Sequence, residues 1–372
     1  MNTTYLTASD LHRALTLRDL SDPAQGSHAM QILLGRIVSV LATAWASTTT
    51  GVRNPPIVAV RDNYDRLGVD AGEIIRDARY TRYVSPTTML RSHTSADIPH
   101  TLGRYRTCAG PVDELIVIPG LVYRRDVVDR THVGEPHQVD LWRLRSSPDT
   151  SDAALDQMIA LLVKAVLPGA RYRTVPSAHA YTEGGRRVDV RHDGEWMELA
   201  ECGRIHPDVL TSAGLDASQW SGLALGMGLD RALMLAKGIP DIRYLRATEP
   251  RITAQLQDLT PWRPVSRLPA ITRDISVVIA AATDDQNIGD TVRSALRDRV
   301  EDIESIVVLR RTHYEALPER AQQRLGITPG QDNCLVRLTL RPLARTLTAA
   351  EANAVRNDAY LALHKGPVLE LA

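Results

Sequence analysis

Apolar residues recur with helical spacing in several parts of this chain, and short β-rich runs lie between them. A stripe that repeats every three or four positions predicts helices over residues 30–45, 153–166, 287–300 and 349–363. Strands are predicted over 115–118 and 121–123, joined by a turn at 119–120, and strand signals return over 171–210. Residues 223–235 begin rich in glycine and end as a helix.

Residues 249–266 contain three prolines, which indicate a linker, and a separate set of predicted strands and helices follows it. Strands over 271–279, 303–309, 334–340 and 368–371 alternate with the last two helices. The resulting β-α-β-β-α-β order is that of a ferredoxin-like split arrangement. We therefore predict a first domain over 1–248, a linker over 249–266 and a C-terminal domain over 267–372.

Composition changes this picture only by excluding some classes of protein. The 44 basic residues balance 44 acidic ones, so no net charge draws the chain to nucleic acid or membrane. The three cysteines form no Cys-x-x-Cys pair, which disfavours a zinc site or a disulfide framework. No apolar run approaches the roughly 18 residues of a membrane span, and the N-terminus has no signal core. We therefore expect a soluble, cytoplasmic protein.

Arginines and a carboxylate occur where a bound nucleotide would need them. Arg124 follows a predicted strand, Arg231 follows the glycine run, and Glu198 lies in a strand-like segment. A guanidinium pairs two phosphate oxygens and keeps its charge, and a carboxylate can hold magnesium on phosphates. Each residue alone would pass as an ordinary surface charge. Together, in this order, they favour a site that binds the phosphates of a nucleotide.

Several segments resemble the catalytic chain of a phenylalanyl-tRNA synthetase, which is a class II aminoacyl-tRNA synthetase. Residues 123–126 (YRRD) and 135–140 (EPHQVD) are similar to its motif 2, and residues 226–231 (GMGLDR) to its motif 3. Residues 89–95 (MLRSHTS) resemble a segment that reaches the amino acid. The resemblance covers residues 20–372 and is nearest in layout to the single-chain organellar enzyme.

The resemblance implies an α+β fold, with a class II antiparallel-sheet catalytic domain over 1–248 and a ferredoxin-fold anticodon-binding domain after the linker. The implied cofactors are ATP and Mg²⁺. The implied catalytic residues are Arg124, Arg231 and Glu198, with Glu198 on the metal. The residues that would bind ATP are Arg124, Asp126, His132, Pro136, Glu198 and Arg231.

The implied amino-acid site departs from the family pattern. Its members would be His93, Ser95, Gln138, Asp140, His179, Tyr181, Glu201, Cys202 and Ala224. The family has a Phe-Pro-Phe-Thr-Glu run whose two rings meet the substrate, but here residues 179–183 read HAYTE. His179 and Tyr181 therefore replace the two rings. Glu201 and Arg204 add charges near the pocket.

Two substrates fit these departures. If Glu201 and Arg204 pair with each other or with solvent, phenylalanine remains the substrate. If His179 or Glu201 binds an additional polar group, the substrate is a more polar aromatic amino acid, and the analogue lacking that group is rejected. Pro136 stands where the family stacks a phenylalanine on adenine, so that stacking is expected to be weaker.

The C-terminal domain is where the resemblance implies contact with tRNA, either tRNA-Phe or a relative. Acidic and basic residues balance there, so binding would rest on a local group of arginines. These are Arg310, Arg311, Arg337, Arg341 and Arg345. The alternative is that they form a solvated sheet face. The family allows a monomer or a homodimer.

Phenylalanine is absent from the whole chain of 372 residues. Drift or codon bias is one explanation. The other is that the chain can be translated when phenylalanyl-tRNA is scarce or mischarged. The second explanation suits a synthetase paralog in secondary metabolism or self-resistance that activates a non-standard amino acid. A catalytically silent regulator that binds tRNA or amino acid is a further alternative.

Overall fold

The computed structural model describes residues 5–77, 80–108, 110–124, 133–248, 250–264, 268–342 and 345–367. They form two compact units. The first takes in Met1–Arg124, Glu135–Ile239 and Ala254–Trp262, and the second takes in Pro240–Thr253 and Arg263–Ala372. The predicted linker is thus divided between the two units. The predicted domain boundaries stay a prediction.

The first unit is built on a seven-stranded sheet in the order β1-β4-β5-β9-β8-β7-β6. Neighbouring strands are antiparallel except β1 and β4, and β2 pairs with β3 apart from this sheet. The predicted α+β fold with an antiparallel sheet is confirmed. The strands are β1 (Thr48–Gly51), β2 (Ile57–Ala59), β3 (Thr88–Leu90), β4 (Asp113–Leu121), β5 (His137–Arg145), β6 (Tyr172–Pro176), β7 (Thr182–His192), β8 (Glu195–Ile205) and β9 (Ser221–Gly228).

Helices lie between and after these strands along the chain. They are α1 (Ala8–Leu15), α2 (Ala29–Trp45), α3 (Val60–Asn63), α4 (Ile98–Leu102), α5 (Asp152–Val166), α6 (Pro207–Ser212), α7 (Leu229–Lys237) and α8 (Pro250–Gln255). Of these, α2, α5 and α7 pack on one another and on the central strands. The α5 helix begins at Asp152, one residue before the predicted start, because Ser151 is its cap and the Ser151 hydroxyl accepts a hydrogen bond from the Ala154 N–H.

The predicted turn at Pro119 and Gly120 is wrong, because β4 continues through both residues. β1 pairs with β4 only as far as Val117, so the missing N–H of Pro119 lies beyond that ladder. Gly120 takes a φ of 153°, and a Cβ there would lie 2.1 Å from the Arg91 side chain. Arg91 itself is buried and paired with Asp97 at 2.8 Å. The close approach of this ion pair is what requires glycine.

A β-bulge in β8 sets which side chains reach the front face of the sheet. Val188 pairs with Ala200, but the next residue, Asp189, pairs with Glu198, so Leu199 is the additional residue. Leu199 and Ala200 are both buried. Because the bulge shifts the alternation by one, Glu198 lies on the same face as Glu201 despite their odd spacing.

Tyrosines take large aromatic positions in the core of this phenylalanine-free chain. Tyr64 and Tyr123 are each 1% exposed. The Tyr64 hydroxyl donates to the Ile75 carbonyl, and the Tyr123 hydroxyl donates to the Ala14 carbonyl. Burial raises the pKa of Tyr123 to about 12. Each buried hydroxyl therefore has a partner, as a tyrosine in a core position requires.

The second unit contains β10 (Ile271–Ala280), α9 (Asp285–Leu296), β11 (Ile303–His313), α10 (Glu319–Leu325), β12 (Gln331–Leu340) and α11 (Ala349–Leu363). Its sheet has the order β10-β12-β11 and is antiparallel. α11 has the predicted bounds, and a Thr348 capping box begins it. α10 was not predicted. The predicted strand over 368–371 lies outside the described residues, so the complete ferredoxin-like order stays a prediction.

Candidate active site

Three central strands bring the predicted site residues onto one face. Asp140 on β5 pairs with Gly226 on β9, and Gly226 pairs in turn with Glu201 on β8. Side chains of directly paired residues point to the same side of a sheet. The two segments that resemble motifs 2 and 3 are thus adjacent strands. Gly226 lies between the two carboxylates, where a Cβ would be in tight contact with the Gln138 amide nitrogen at 3.3 Å.

Arg124 is held at the end of this face by two hydrogen bonds. Its Nε donates to the Ser92 carbonyl at 2.8 Å, and its Nη2 donates to Gln138 Oε1 at 3.1 Å. The Arg124 carbonyl accepts a bond from Arg82, whose guanidinium also pairs with Glu135 at 2.5 Å. The predicted phosphate arginine and the predicted amine-binding glutamine are therefore in direct contact.

Asp140 is the centre of the buried polar network. Its Oδ1 accepts bonds from Ser95 at 2.8 Å and Trp142 Nε1 at 3.0 Å, and its Oδ2 accepts from Thr94 and, at 3.4 Å, from Gln138. These donors occupy the roughly four acceptor positions of a carboxylate. Burial raises the pKa of Asp140, and the hydroxyl and indole bonds oppose that rise.

His93 carries a buried nitrogen that a ligand could satisfy. Its Nδ1 makes no hydrogen bond of normal geometry. Burial lowers the pKa of His93 to about 3, the Arg124 guanidinium adds to the lowering, and the Asn63 backbone opposes it. The imidazole is therefore neutral near pH 7. A buried polar atom without a partner in a folded protein calls for an explanation, and a bound substrate group provides one.

The replaced ring positions form a polar wall with Glu201. His179 Nε2 lies 2.8 Å from Glu201 Oε2, and the Ser177 hydroxyl donates to Oε1 at 3.0 Å. The hydrogen bond from His179 lowers the pKa of Glu201, so the carboxylate is ionised near pH 7. The ring of Tyr181 stacks on Trp142, with 6.1 Å between centroids and 23° between planes. Burial raises the pKa of Tyr181 well above its usual range.

Not all residues near the predicted amino-acid pocket point into it: of Arg204, Cys202 and Ala224, only Ala224 lies on the front face of the sheet. Arg204 does not pair with Glu201, because it forms an ion pair with Asp152 at 2.8 Å. Cys202 alternates with Glu201 along β8 and so points to the back face, where burial raises its pKa to about 12. Its thiol does not share the front face with the other predicted residues. Ala224 lies on the front face, packed with Trp142 in an apolar cluster.

Glu198 and Arg231 lie beside each other at the far side of the site. Arg231 Nη1 donates to the Glu198 carbonyl at 3.4 Å, and the Glu198 side chain is exposed. No group of three or more His, Cys, Asp or Glu side chains suited to a metal is found among the described residues. One carboxylate with substrate phosphates suits Mg²⁺, which keeps several waters, better than an all-protein cage does.

The loop between β4 and β5 is only partly described. Asp126 and His132, two of the predicted ATP-binding residues, lie outside the described residues. Pro136 lies just before β5, and its carbonyl accepts a hydrogen bond from the Val122 N–H at 2.9 Å. It therefore continues the pairing of β4 with β5 by one residue.

The sequence did not single out the pair His137 and Asp230. The Asp230 carboxylate accepts the His137 backbone N–H at 2.5 Å and lies 3.0 Å from His137 Nδ1. His137 Nε2 accepts the Leu20 N–H at 2.9 Å, so Nδ1 carries the proton and donates to Asp230. Each member precedes a predicted site residue, Gln138 and Arg231. The pair therefore joins β5 to α7 next to the site.

The five arginines predicted to bind tRNA do not share one face of the second unit. Arg310 and Arg337 lie on the open face of its sheet. Arg311 is paired in the strand register with Cys334, which faces the core, and it therefore lies on the opposite face, where it forms an ion pair with Asp285. Most of them have acidic partners. Arg337 forms a two-pronged pair with Asp274 at 2.8 Å, and Arg341 and Arg345 pair with Glu304 and Glu351.

Comparison with known proteins agrees with this geometry. Residues 16–256 match the family described as tRNA synthetases class II core domain (F). That is well over half of the chain, so the chain belongs to this family, and the expectation of a class II synthetase-type ligase is confirmed. Among described residues, no helix is long and apolar enough to cross a membrane.

Among its relatives is the phenylalanine–tRNA ligase alpha subunit of Prochlorococcus marinus, 32% identical over 64% of this chain and 69% of the relative. The chloroplastic/mitochondrial phenylalanine–tRNA ligase of Arabidopsis thaliana is 28% identical over 80% of this chain and 67% of its own length. The chain thus spans about two thirds of these relatives. A pyrrolysyl-tRNA synthetase from Desulfitobacterium hafniense aligns over 61% of this chain and 76% of its own, with 17% identity and a TM-score of 0.46.

Proposed function

We propose that this chain activates an aromatic amino acid with ATP and transfers it to tRNA, with a polar aromatic amino acid preferred over phenylalanine. The observation that carries the proposal is the ionised Glu201 carboxylate. Ser177 and His179 hold it on the same sheet face as Asp140. Relatives named phenylalanine–tRNA ligases support the reaction class.

Binding of ATP and Mg²⁺ would fall to Arg124, Arg231 and Glu198. Mg²⁺ neutralises phosphate charge when it is bound. Arg124 and Arg231 lie on either side of the strand pair β5 and β9, where two guanidiniums can hold phosphate oxygens and orient the α-phosphate. Asp126, His132 and Pro136 remain proposed members of the nucleotide site.

The amino and carboxyl groups of the substrate would meet the buried network. Gln138 is the direct partner that we propose for the amine, because its Oε1, which accepts one bond from Arg124 Nη2, has a second lone pair that an ammonium can use. Asp140 lies behind it and accepts a bond from Gln138 Nε2 at 3.4 Å. Ser95 holds Asp140 in place. The neutral His93 has an unsatisfied nitrogen available for the substrate.

The side chain of the substrate would lie between Tyr181, Ala224 and the wall formed by His179 and Glu201. An ionised carboxylate at a ring edge loses water when an apolar ring covers it and gains nothing in return. A hydroxyl or amino group on the ring would instead donate to Glu201. Sites that bond such a group reject the analogue lacking it by large factors.

Amino-acid-dependent ATP–pyrophosphate exchange tests this proposal. We expect exchange with tyrosine, meta-tyrosine or another polar aromatic amino acid, and weaker exchange with phenylalanine. Glu201→Gln should lower kcat/KM for the polar substrate by about 10-fold or more, because a charged partner is lost. Glu195→Gln is the matched control, since Glu195 lies on the same strand, β8, but is exposed and stands opposite His192 in the strand register, away from the pocket. Exchange with phenylalanine alone would make phenylalanine the substrate.

The acceptor is proposed to be tRNA, with Arg310, Arg311, Arg337, Arg341 and Arg345 as contacts. The departures in the pocket favour one alternative, a paralog that passes a non-standard amino acid to another acceptor in secondary metabolism or self-resistance. Dependence of product formation on tRNA separates the two. We also propose a cytoplasmic location, in keeping with three free cysteines.

A further inference from the structure

An aromatic and basic surface lies on the outer strands of the sheet. Trp196 on β8 is 37% exposed. The guanidinium carbons of Arg173 and Arg191 lie 4.5 and 5.4 Å from the centroid of its ring. Arg187 lies next to them and shares Asp189 with Arg173. We call Trp196, Arg173, Arg187 and Arg191 the Trp196 surface.

Strand register puts this surface on the same face as the candidate active site. Trp196 pairs with Arg191, and Arg173 and Glu198 both pair with Asp189. Two residues along a strand are roughly 7 Å apart, and Trp196 is two residues from Glu198. The Trp196 surface therefore begins beside the carboxylate proposed to hold magnesium and extends toward the edge strand β6.

The charges on this surface suit a polyanion with exposed bases. Arg173 and Arg187 both bond Asp189, whose pKa is lowered although burial opposes this. Arg191 forms no ion pair within the described part of the chain. A guanidinium without a carboxylate is available to a phosphate, and an exposed indole with guanidiniums around it is available to a base.

We propose that the Trp196 surface holds the unpaired 3′ nucleotides of the RNA acceptor, so that the terminal ribose reaches the activated amino acid beside Glu198. This inference rests on the proposed function. Stacking on aromatic and guanidinium planes tolerates any base, so the surface would hold the end of the RNA and leave identity to other contacts. A protein partner would instead call for a larger apolar area around Trp196.

The test separates activation from transfer. In Trp196→Ala, ATP–pyrophosphate exchange without RNA should be unchanged, while KM for total tRNA in the charging reaction should rise by about 10-fold. Arg191→Ala should act in the same direction, and Trp196→Tyr should restore most of the loss because the stacking ring is kept. The matched control is Tyr172→Ala, since Tyr172 is 43% exposed on β6 but pairs with Val190 and so points to the opposite face.

Direct measurement of tRNA binding tests the inference even if the charging reaction fails for other reasons. Filter binding of the full chain to total tRNA should weaken by about 10-fold in Trp196→Ala and should not change in Tyr172→Ala. Equal binding by wild type and Trp196→Ala would overturn the inference. A dimer that Trp196→Ala dissociates would overturn it too, in favour of a protein interface. Absence of exchange in the wild type would instead count against the proposed function.

Discussion

The hydrogen-bonded pair of His137 and Asp230 predicts a large effect of one small substitution, Asp230→Asn. Asp230 is 3% exposed, and its two carboxylate oxygens accept two buried N–H groups of His137. The asparagine amide keeps one acceptor and turns an NH₂ group toward the other donor. The His137 ring cannot adapt by changing tautomer, because its Nε2 already accepts the Leu20 N–H.

An unsatisfied buried donor costs about 1–3 kcal/mol, so we expect Asp230→Asn to lower the free energy of unfolding by about 2 kcal/mol. Asp230→Ala removes the acceptor of both N–H groups and should lower it by about 4 kcal/mol. Urea denaturation followed by circular dichroism measures both. Because the pair holds Gln138 and Arg231 in register, kcat of exchange should fall more in these variants than stability loss alone explains.

The matched control is Asp208→Asn. Asp208 occupies the second position of α6, as Asp230 does in α7, but its side chain is 89% exposed and its described partner is His206 at 3.6 Å. The effect of a carboxylate near a helix N-terminus is therefore the same in both. If Asp230→Asn were no less stable than Asp208→Asn, the pair would not join β5 to α7 as argued.

Three further predictions concern other parts of the chain. Arg243→Ala should lower the stability of the second unit by about 3–5 kcal/mol, since it removes one partner of a buried pair. Arg337→Ala removes one partner of an exposed pair and should have little effect in the same denaturation assay. The pKa of Glu201 is lowered in the folded protein, so its carboxylate stabilises the fold above its ordinary pKa of 4.5, and this contribution is lost as the pH falls through the lowered pKa. The urea midpoints at pH 7 and pH 3.5 should therefore differ less in Glu201→Gln than in wild type. Iodoacetamide at pH 8 should label the exposed Cys108 and leave Cys202 unmodified, as peptide mass spectrometry would reveal. Labelling of both at equal rates would contradict the burial of Cys202.

Helices with local signals were predictable from sequence. The helix over 349–363 has a capping box at Thr348, and the helix over 153–166 has a cap at Ser151. The turn at Pro119 and Gly120 was predicted wrongly because a proline in a strand is tolerated where the neighbouring strand has already ended. That depends on where β1 stops, which local sequence does not encode.

The candidate site was predictable as a set of residues but not as a geometry. Family resemblance singled out Glu198 and Glu201, yet their spacing of three predicts opposite faces, and only the bulge at Leu199 brings them together. Cys202 was grouped with them by its position in the same segment, although alternation points it away. The network around Asp140 depends on hydroxyls more than 40 residues distant in the chain, and periodicity carries no information about such contacts.

The central claim is that this site forms an adenylate of a polar aromatic amino acid. The most direct measurement is to incubate the full chain with Mg²⁺, ATP and an equimolar mixture of phenylalanine, tyrosine, meta-tyrosine and histidine, and to identify the bound aminoacyl-adenylate by mass spectrometry. The account predicts an adenylate of a ring-hydroxylated or other polar aromatic amino acid, and predicts that Arg124→Ala abolishes it. An adenylate of phenylalanine alone, or none from any amino acid, would contradict it.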